Sequence, residues 1–303
     1  MHNVKPKIAQ VVRHCSLLVL PCIVLLSGCA FRAQPSEPMT EMPLQPATVE
    51  RLMALLQERE AEIQTLKGLF RAQIQGPGLP GTQQVEGAVV YHRPDALRLR
   101  GFNRIGMRLF ELGIGENRYT LRLVNGKVLT GNMADLDRIE KIARPFRLSV
   151  LAMSGIIGTA PVGSRDRAVL KQDGDRYRLD VFGPDPGLTP GFNGGEFPYR
   201  QIWFDGRSLQ VVQEDRLTPA GDIEATVLFE DFRPVNLSPD GGIFPIDTSA
   251  VRSVLKPFVI RGQESQGHST IQLTFREIVP NMPVKAEELQ VTGSATVGDG
   301  TIG

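Results

Sequence analysis

The chain has 303 residues, with 34 basic and 33 acidic side chains, a net charge of +1 and 41% apolar residues. That balance lacks the basic excess by which nucleic-acid-binding chains hold phosphates, so nucleic acid is not expected as a partner. The three cysteines, Cys15, Cys22 and Cys29, all fall in the first tenth of the chain, so the remainder has no disulfide and must stand on its core.

Lys5, Lys7 and Arg13 precede the first acidic residue, Glu37, and an apolar run follows from Ser16 to Ser27. A basic start, a short apolar core and small residues at its end form a signal-peptide layout. The run is shorter than the ~20 residues that span a bilayer, and Pro21 interrupts it. Leu26-Ser27-Gly28-Cys29 resembles the bacterial lipoprotein box, which implies cleavage before Cys29 and acylation of its sulfur. Residues 1–28 are thus expected to leave as a signal peptide, with Cys29 as the lipid anchor. In the bacterial lipoprotein sorting rule an aspartate after the lipidated cysteine favours inner-membrane retention, and resemblance to that rule, with Ala30 in its place, implies the periplasmic face of the outer membrane. With Lys5, Lys7 and Arg13 removed, the mature chain turns slightly acidic.

Residues 29–46 are polar and contain Pro35, Pro38, Pro43 and Pro46, the composition of a tether. Val49, Leu52, Met53, Leu56, Ile63 and Leu66 then recur at helical spacing, with Thr48 as N-cap and Glu50 in the first turn. After Lys67 the period changes to 2. Phe70, Ala72 and Ile74 alternate with polar residues, followed by Val85, Val89 and Tyr91, by Leu97 and Leu99, by Phe110, Leu112 and Ile114, and by Tyr119, Leu121 and Leu123 before the hairpin signal Asn125-Gly126. Two helices are expected within residues 133–158, one on Leu136, Ile139 and Ile142 stopping before Pro145, one on Leu148, Leu151, Ala152, Ile156 and Ile157. A second strand set takes Tyr177, Leu179 and Val181, a hairpin at Asp205-Gly206, then Ala225, Val227 and Phe229, and finally Ile271, Leu273 and Phe275. Thr248 to Leu255 is a third helix candidate.

Alternation of this kind gives each strand one apolar and one polar face, as in an antiparallel meander wet on one side. The fold class is therefore α+β, mainly β: one strongly curved antiparallel sheet forming an incomplete barrel covered by a few helices. It occupies residues 47–280 as a single domain, with 281–303 as a partly disordered tail.

Catalytic signatures are missing. His92 and His268 lie in separate strand regions, and no H-E-x-x-H, C-x-x-C or G-x-S-x-G occurs. Glycine patterns near Gly113 and Gly101 fail as nucleotide motifs at Arg118 and Met107. Glu230 and Asp231 are adjacent on a strand and face opposite sides. The reading is a binding protein, not an enzyme, with no cofactor and no metal.

The order of elements over residues 48–280 resembles the lipoprotein-localisation superfamily (LolA/LolB-like), closest to its outer-membrane receptor branch. The stretch DALRLRGFNRIGMRLFELGI is similar to the family's strand, Asn-x-apolar-Gly turn and strand, here Asn103-Arg104-Ile105-Gly106. The family usually has proline where Arg104 stands, so a less rigid turn is expected. RLSVLAMSGIIG resembles the family's lid helix ending at glycine, and GDRYRLDVF the strand that resumes the sheet. The resemblance implies an apolar cavity for acyl chains and insertion of Ile105, with Phe102 and Met107 beside it, into the membrane; Leu79 is a rival protruding residue. Cavity candidates are Phe70, Val89, Leu97, Leu99, Phe110, Leu112, Leu121, Leu123, Leu151, Ile156, Val227 and Phe229, and whether they line a cavity or fill a core stays open.

Two functions follow. One is an outer-membrane-anchored lipoprotein that accepts the acyl chains of lipoproteins, or another membrane lipid, and helps insert them. Its partners would be acylated lipoproteins or membrane lipid, a soluble periplasmic carrier, and the outer membrane through its own anchor. The alternative is a structural or assembly lipoprotein of the envelope with a filled core and no cargo.

Overall fold

The computed structural model describes residues 42–132 except 78, 144–159, 162–183, 197–237, and 252–291 except 266 and 268. Cys29, most of the tether, Leu136, Ile139, Ile142, Thr248, His268 and the end of the C-terminal tail lie outside these residues. The fold belongs to the unit Leu44–Gly303.

Helix α1, Val49–Ala61, starts where the Thr48 hydroxyl accepts the Arg51 amide at 3.2 Å, satisfying an N–H that the first turn leaves unpaired. It buries Leu52 and Leu56. The helix ends earlier than the spacing predicts. Ile63 sits in the connection, and Leu66 already belongs to strand β1, Thr65–Gln75. Both are fully buried, so their apolar character is explained by the core and not by a continued helix.

From β1 the chain runs outward through β2 (Gln83–His92), β3 (Ala96–Phe102), β4 (Arg108–Gly115), β5 (Arg118–Leu123) and β6 (Val128–Asn132). The segment holding helix α2, Arg144–Ile157, then carries it to the far edge. There the second set begins, and β7 (Arg167–Asp173), β8 (Arg176–Phe182), β9 (Arg200–Asp205), β10 (Val211–Leu217), β11 (Ile223–Asn236), β12 (Ser253–Glu264) and β13 (Thr270–Pro280) run back inward. The result is one 13-stranded sheet in which β1 pairs β13 and the edges are β6 and β7. Neighbours are antiparallel throughout, as hairpin connections dictate. The sheet is curved and does not close.

Ser253, Val254 and Leu255 are not helical. They extend β12 by pairing with Asn236, Val235 and Pro234 of β11, and the ladder overrides a spacing that also fits a helix. Helix α2 is as expected from its apolar residues. Pro145 falls in its first turn, where a missing N–H is tolerated. It packs across β11, β12, β13 and β1, burying Leu148, Ala152, Met153 and Ile156. Gly155 permits the close approach: a Cβ there would stand 2.4 Å from the Phe229 ring and 3.2 Å from Ile260.

The opposite face is not simply wet. Glu111, fully buried, accepts from Arg98 Nε at 2.7 Å and from Arg108 Nη1 at 2.9 Å. The C-terminal segment covers this pair, because Arg98 also donates to the carbonyls of Glu287 and Glu288 in the short helix α3, Ala286–Leu289. Lys67 holds Glu288 at 2.8 Å, and Val291 is buried. A second buried pair, Arg200 and Glu214 at 3.0 Å, lies on the apolar face instead: Arg200 shares the phase of Ile202 and Phe204, and Glu214 stands opposite Ile202 and Val227. At Arg98 and Glu111 the strand alternation is polar as expected, and burial comes from the C-terminal segment that folds back over them, whereas Arg200 and Glu214 are charges within the apolar phase.

Candidate functional site

The β3–β4 turn carries Ile105 out into water. It is 85% exposed, and Met107 beside it is 51% exposed, whereas Phe102 is half-buried. The turn is held from within. The Asn103 side-chain oxygen accepts the amides of Ile105 at 3.1 Å and Met107 at 2.9 Å, and its carbonyl accepts the Gly106 amide at 3.0 Å. Gly106 has φ +83°, which a residue with a side chain rarely adopts. Arg104 reaches back to the Gln84 side chain at 2.5 Å. The stiffness that proline at position 104 would give is supplied by Asn103. Leu79, the rival, packs half-buried against the core.

The cavity candidates lie together on the helix-covered face. Phe70, Val89, Leu97, Leu99, Leu112, Leu121, Ile156, Val227 and Phe229 belong to one buried apolar cluster, and Phe110, Leu123 and Leu151 pack against it half-buried. Two of the rings have a structural task. Phe70 lies over Gly87, its partner on β2, and Phe110 over Gly101, its partner on β3, each ring occupying the space of the absent side chain. Phe70 also meets Phe275 with ring centroids 5.5 Å apart.

A cleft of about 320 Å³ opens where α1, the C-terminal end of α2 and strands β11 and β12 meet. Of the cavity candidates, Phe229 lines it, with Leu55, Phe232 and Val254. It also contains Glu58, Arg59, Glu62 and Lys256. Lys256 is only 5% exposed. It alternates along β12 with buried Phe258 and Ile260, so it occupies the apolar phase of its strand. Burial pushes its ammonium down to about 8; the Glu62 carboxylate draws it back up and the Arg59 guanidinium lowers it further. Arg59 is likewise lowered by burial, with Glu62 and Glu58 opposing. The sequence analysis does not single out this lysine, which follows the helix candidate that ends at Leu255. The signal was available: Val254, Lys256, Phe258 and Ile260 form one alternating series.

β12 begins at the end of the sheet where β3 also begins, while Ile105 lies beyond the end of β3. The turn and the cleft therefore occupy opposite ends of the sheet. Among the described residues no group of three or more His, Cys, Asp or Glu side chains is placed to hold a metal. His92 is exposed at the end of β2. No described helix is long and apolar enough to cross a membrane.

No protein-family model matches the chain, and no curated protein matches its sequence. Solved structures do. A LolA superfamily protein from Nitrosomonas europaea aligns with a TM-score of 0.50 at 9% identity, over 81% of this chain and 99% of that one. A domain from Vibrio parahaemolyticus named for outer membrane lipoprotein sorting gives 0.47 at 11% identity, over 80% and 97%. A DUF1329 family protein from Desulfovibrio piger gives 0.48 at 8% identity, over 81% and 100%. The first alignment fixes the fold as LolA-like: mainly β, a curved and unclosed antiparallel sheet with few helices.

Proposed function

We propose that this chain is a lipid-anchored envelope protein that receives the acyl chains of lipoproteins or of another membrane lipid and helps insert them into the outer membrane. The observation that carries the reading is Ile105, a bulky aliphatic side chain 85% exposed on a turn braced by Asn103 and Gly106. Burying an isoleucine in an apolar phase contributes ~1.5–3 kcal/mol, so a rigid turn that holds one in water favours contact with a bilayer. Cys29 supplies permanent attachment at the other end of the tether. Each methylene kept from water contributes ~0.8 kcal/mol, so acyl chains crossing the periplasm need a protein shelter, and the helix-covered face of a LolA-like sheet is apolar enough to be one.

The test uses the full chain carrying Cys29→Ala, so that it brings no acyl group of its own. Binding is measured to one small lipoprotein in acylated and unacylated forms. Preference for the acylated form supports the reading, and equal or absent binding contradicts it.

A second reading, the structural or assembly lipoprotein, is favoured by a different observation. All the cavity candidates sit in or against the packed core, and Phe70 and Phe110 are committed to covering glycines. On that reading neither lipoprotein form is retained.

A further inference from the structure

We infer that the cleft between α1, α2 and β11–β12 holds the oxyanion of an amphiphile, a carboxylate or phosphate carried on an acyl chain, by means of Lys256 and Arg59. The inference rests on the lipid-handling reading and adds the chemical class of the cargo's head.

Lys256 is the main reason. Its side chain is 5% exposed, lines the cleft, and forms no hydrogen bond or ion pair with any described residue. An ammonium has three donors, and in a site that leaves little room for water they face the opening of the cleft and not a described protein acceptor. Arg59 has the same surplus. One of its N–H groups donates to the Leu209 carbonyl at 2.7 Å, and it forms no ion pair with any described residue. Two cations facing one cleft also disfavour each other's charge, as the lowering of Lys256 by Arg59 records.

The carboxylates of the lining offset this charge through space, Glu62 more strongly than Arg59 opposes it at Lys256, but neither forms a hydrogen bond or ion pair with Lys256 or Arg59. Arg252 takes Glu62 at 2.5 Å and reaches Glu58 at 3.6 Å, so both are drawn toward a third cation. An oxyanion in the cleft would accept from Lys256 and Arg59 at once and cancel their repulsion. Free anions would leave the rest of the lining wet. Leu55, Phe229, Phe232 and Val254 offer a wall for the first methylenes of a chain, and the volume is at the lower end of the usual range for small-molecule sites.

The experiment measures binding to the full chain carrying Cys29→Ala by titration calorimetry, with dodecanoate, dodecyl phosphate, dodecanol, acetate and inorganic phosphate as probes. The expected result is that the two charged amphiphiles bind at least tenfold tighter than dodecanol, with acetate and phosphate far weaker. Lys256→Met, which keeps the stem and removes the charge, erases that preference, and Arg59→Gln reduces it from a different element. Equal binding of dodecanoate and dodecanol, unchanged in Lys256→Met, overturns the inference and leaves lipid binding intact. Acetate or inorganic phosphate binding as tightly as dodecanoate overturns it in favour of a free-anion site. Silence from every probe also overturns it, and the acylated-lipoprotein assay then decides the broader reading by itself.

Discussion

Ile105 and Lys256 break the same rule in opposite directions. The β3–β4 turn holds an aliphatic side chain in water, and the cleft at the other end of the sheet holds an ammonium out of it. Neither is forced by the strands around it. A polar residue would serve the turn, whose geometry is carried by Asn103 and Gly106, and a leucine would suit the apolar phase of β12. Arg98 and Arg200, also buried, each have a carboxylate. Paired buried charge belongs to the architecture of the sheet, whereas Lys256 has no hydrogen bond or ion pair with any described residue.

The largest effect is expected where a pair is broken. Glu111→Ala leaves Arg98 without its carboxylate in a buried site and should destabilise the fold by about 3–5 kcal/mol in chemical denaturation. Lys256→Met should do the reverse, because it removes a charge that folding desolvates. Its folded value of about 8 lies below the ordinary 10.5, so protonation opposes folding below pH 8. As pH rises from 8 to 10.5 the folded state sheds the proton while the unfolded state keeps it, and wild-type stability rises. The variant should be more stable by about 2–3 kcal/mol at pH 7, with the gap closing by about pH 10.5. Denaturation at the two pH values checks both parts; a variant less stable at pH 7 would mean that the lysine has a protein partner.

Ile105→Glu should leave stability within about 0.5 kcal/mol, since the side chain touches little. In the Cys29→Ala background it should weaken co-sedimentation with phospholipid vesicles roughly ten- to a hundredfold, the equivalent of withdrawing one isoleucine from an apolar phase. The smallest effect is local: Thr48→Ala removes the α1 cap and should cost about 1 kcal/mol, without altering vesicle binding.

Much of the sheet was legible because one face of each strand is buried. Phe70, Ala72 and Ile74, or Tyr177, Leu179 and Val181, announce their strands by period alone. The turn at Ile105 was legible too, from Asn-x-apolar-Gly. Other features depended on distant pairing. Leu66 follows Ile63 at a helical interval yet pairs with Tyr91 and Pro280, and Val254 joins β12 because Val235 lies opposite. The cover over Arg98 comes from residues nearly 190 positions away. Lys256 was hidden for a different reason: its phase was visible, but the presence of a cleft and the lack of a partner among the described residues are properties of three elements together.

The most direct measurement follows delivery. An acylated lipoprotein loaded on the wild-type chain and on Ile105→Glu, both with Cys29→Ala, is mixed with phospholipid vesicles, and its transfer is timed. Equal loading of the two proteins with transfer lost only in Ile105→Glu is the expected result. Transfer at equal rates from both, or failure of the wild-type chain to hold the acylated lipoprotein at all, would contradict the account.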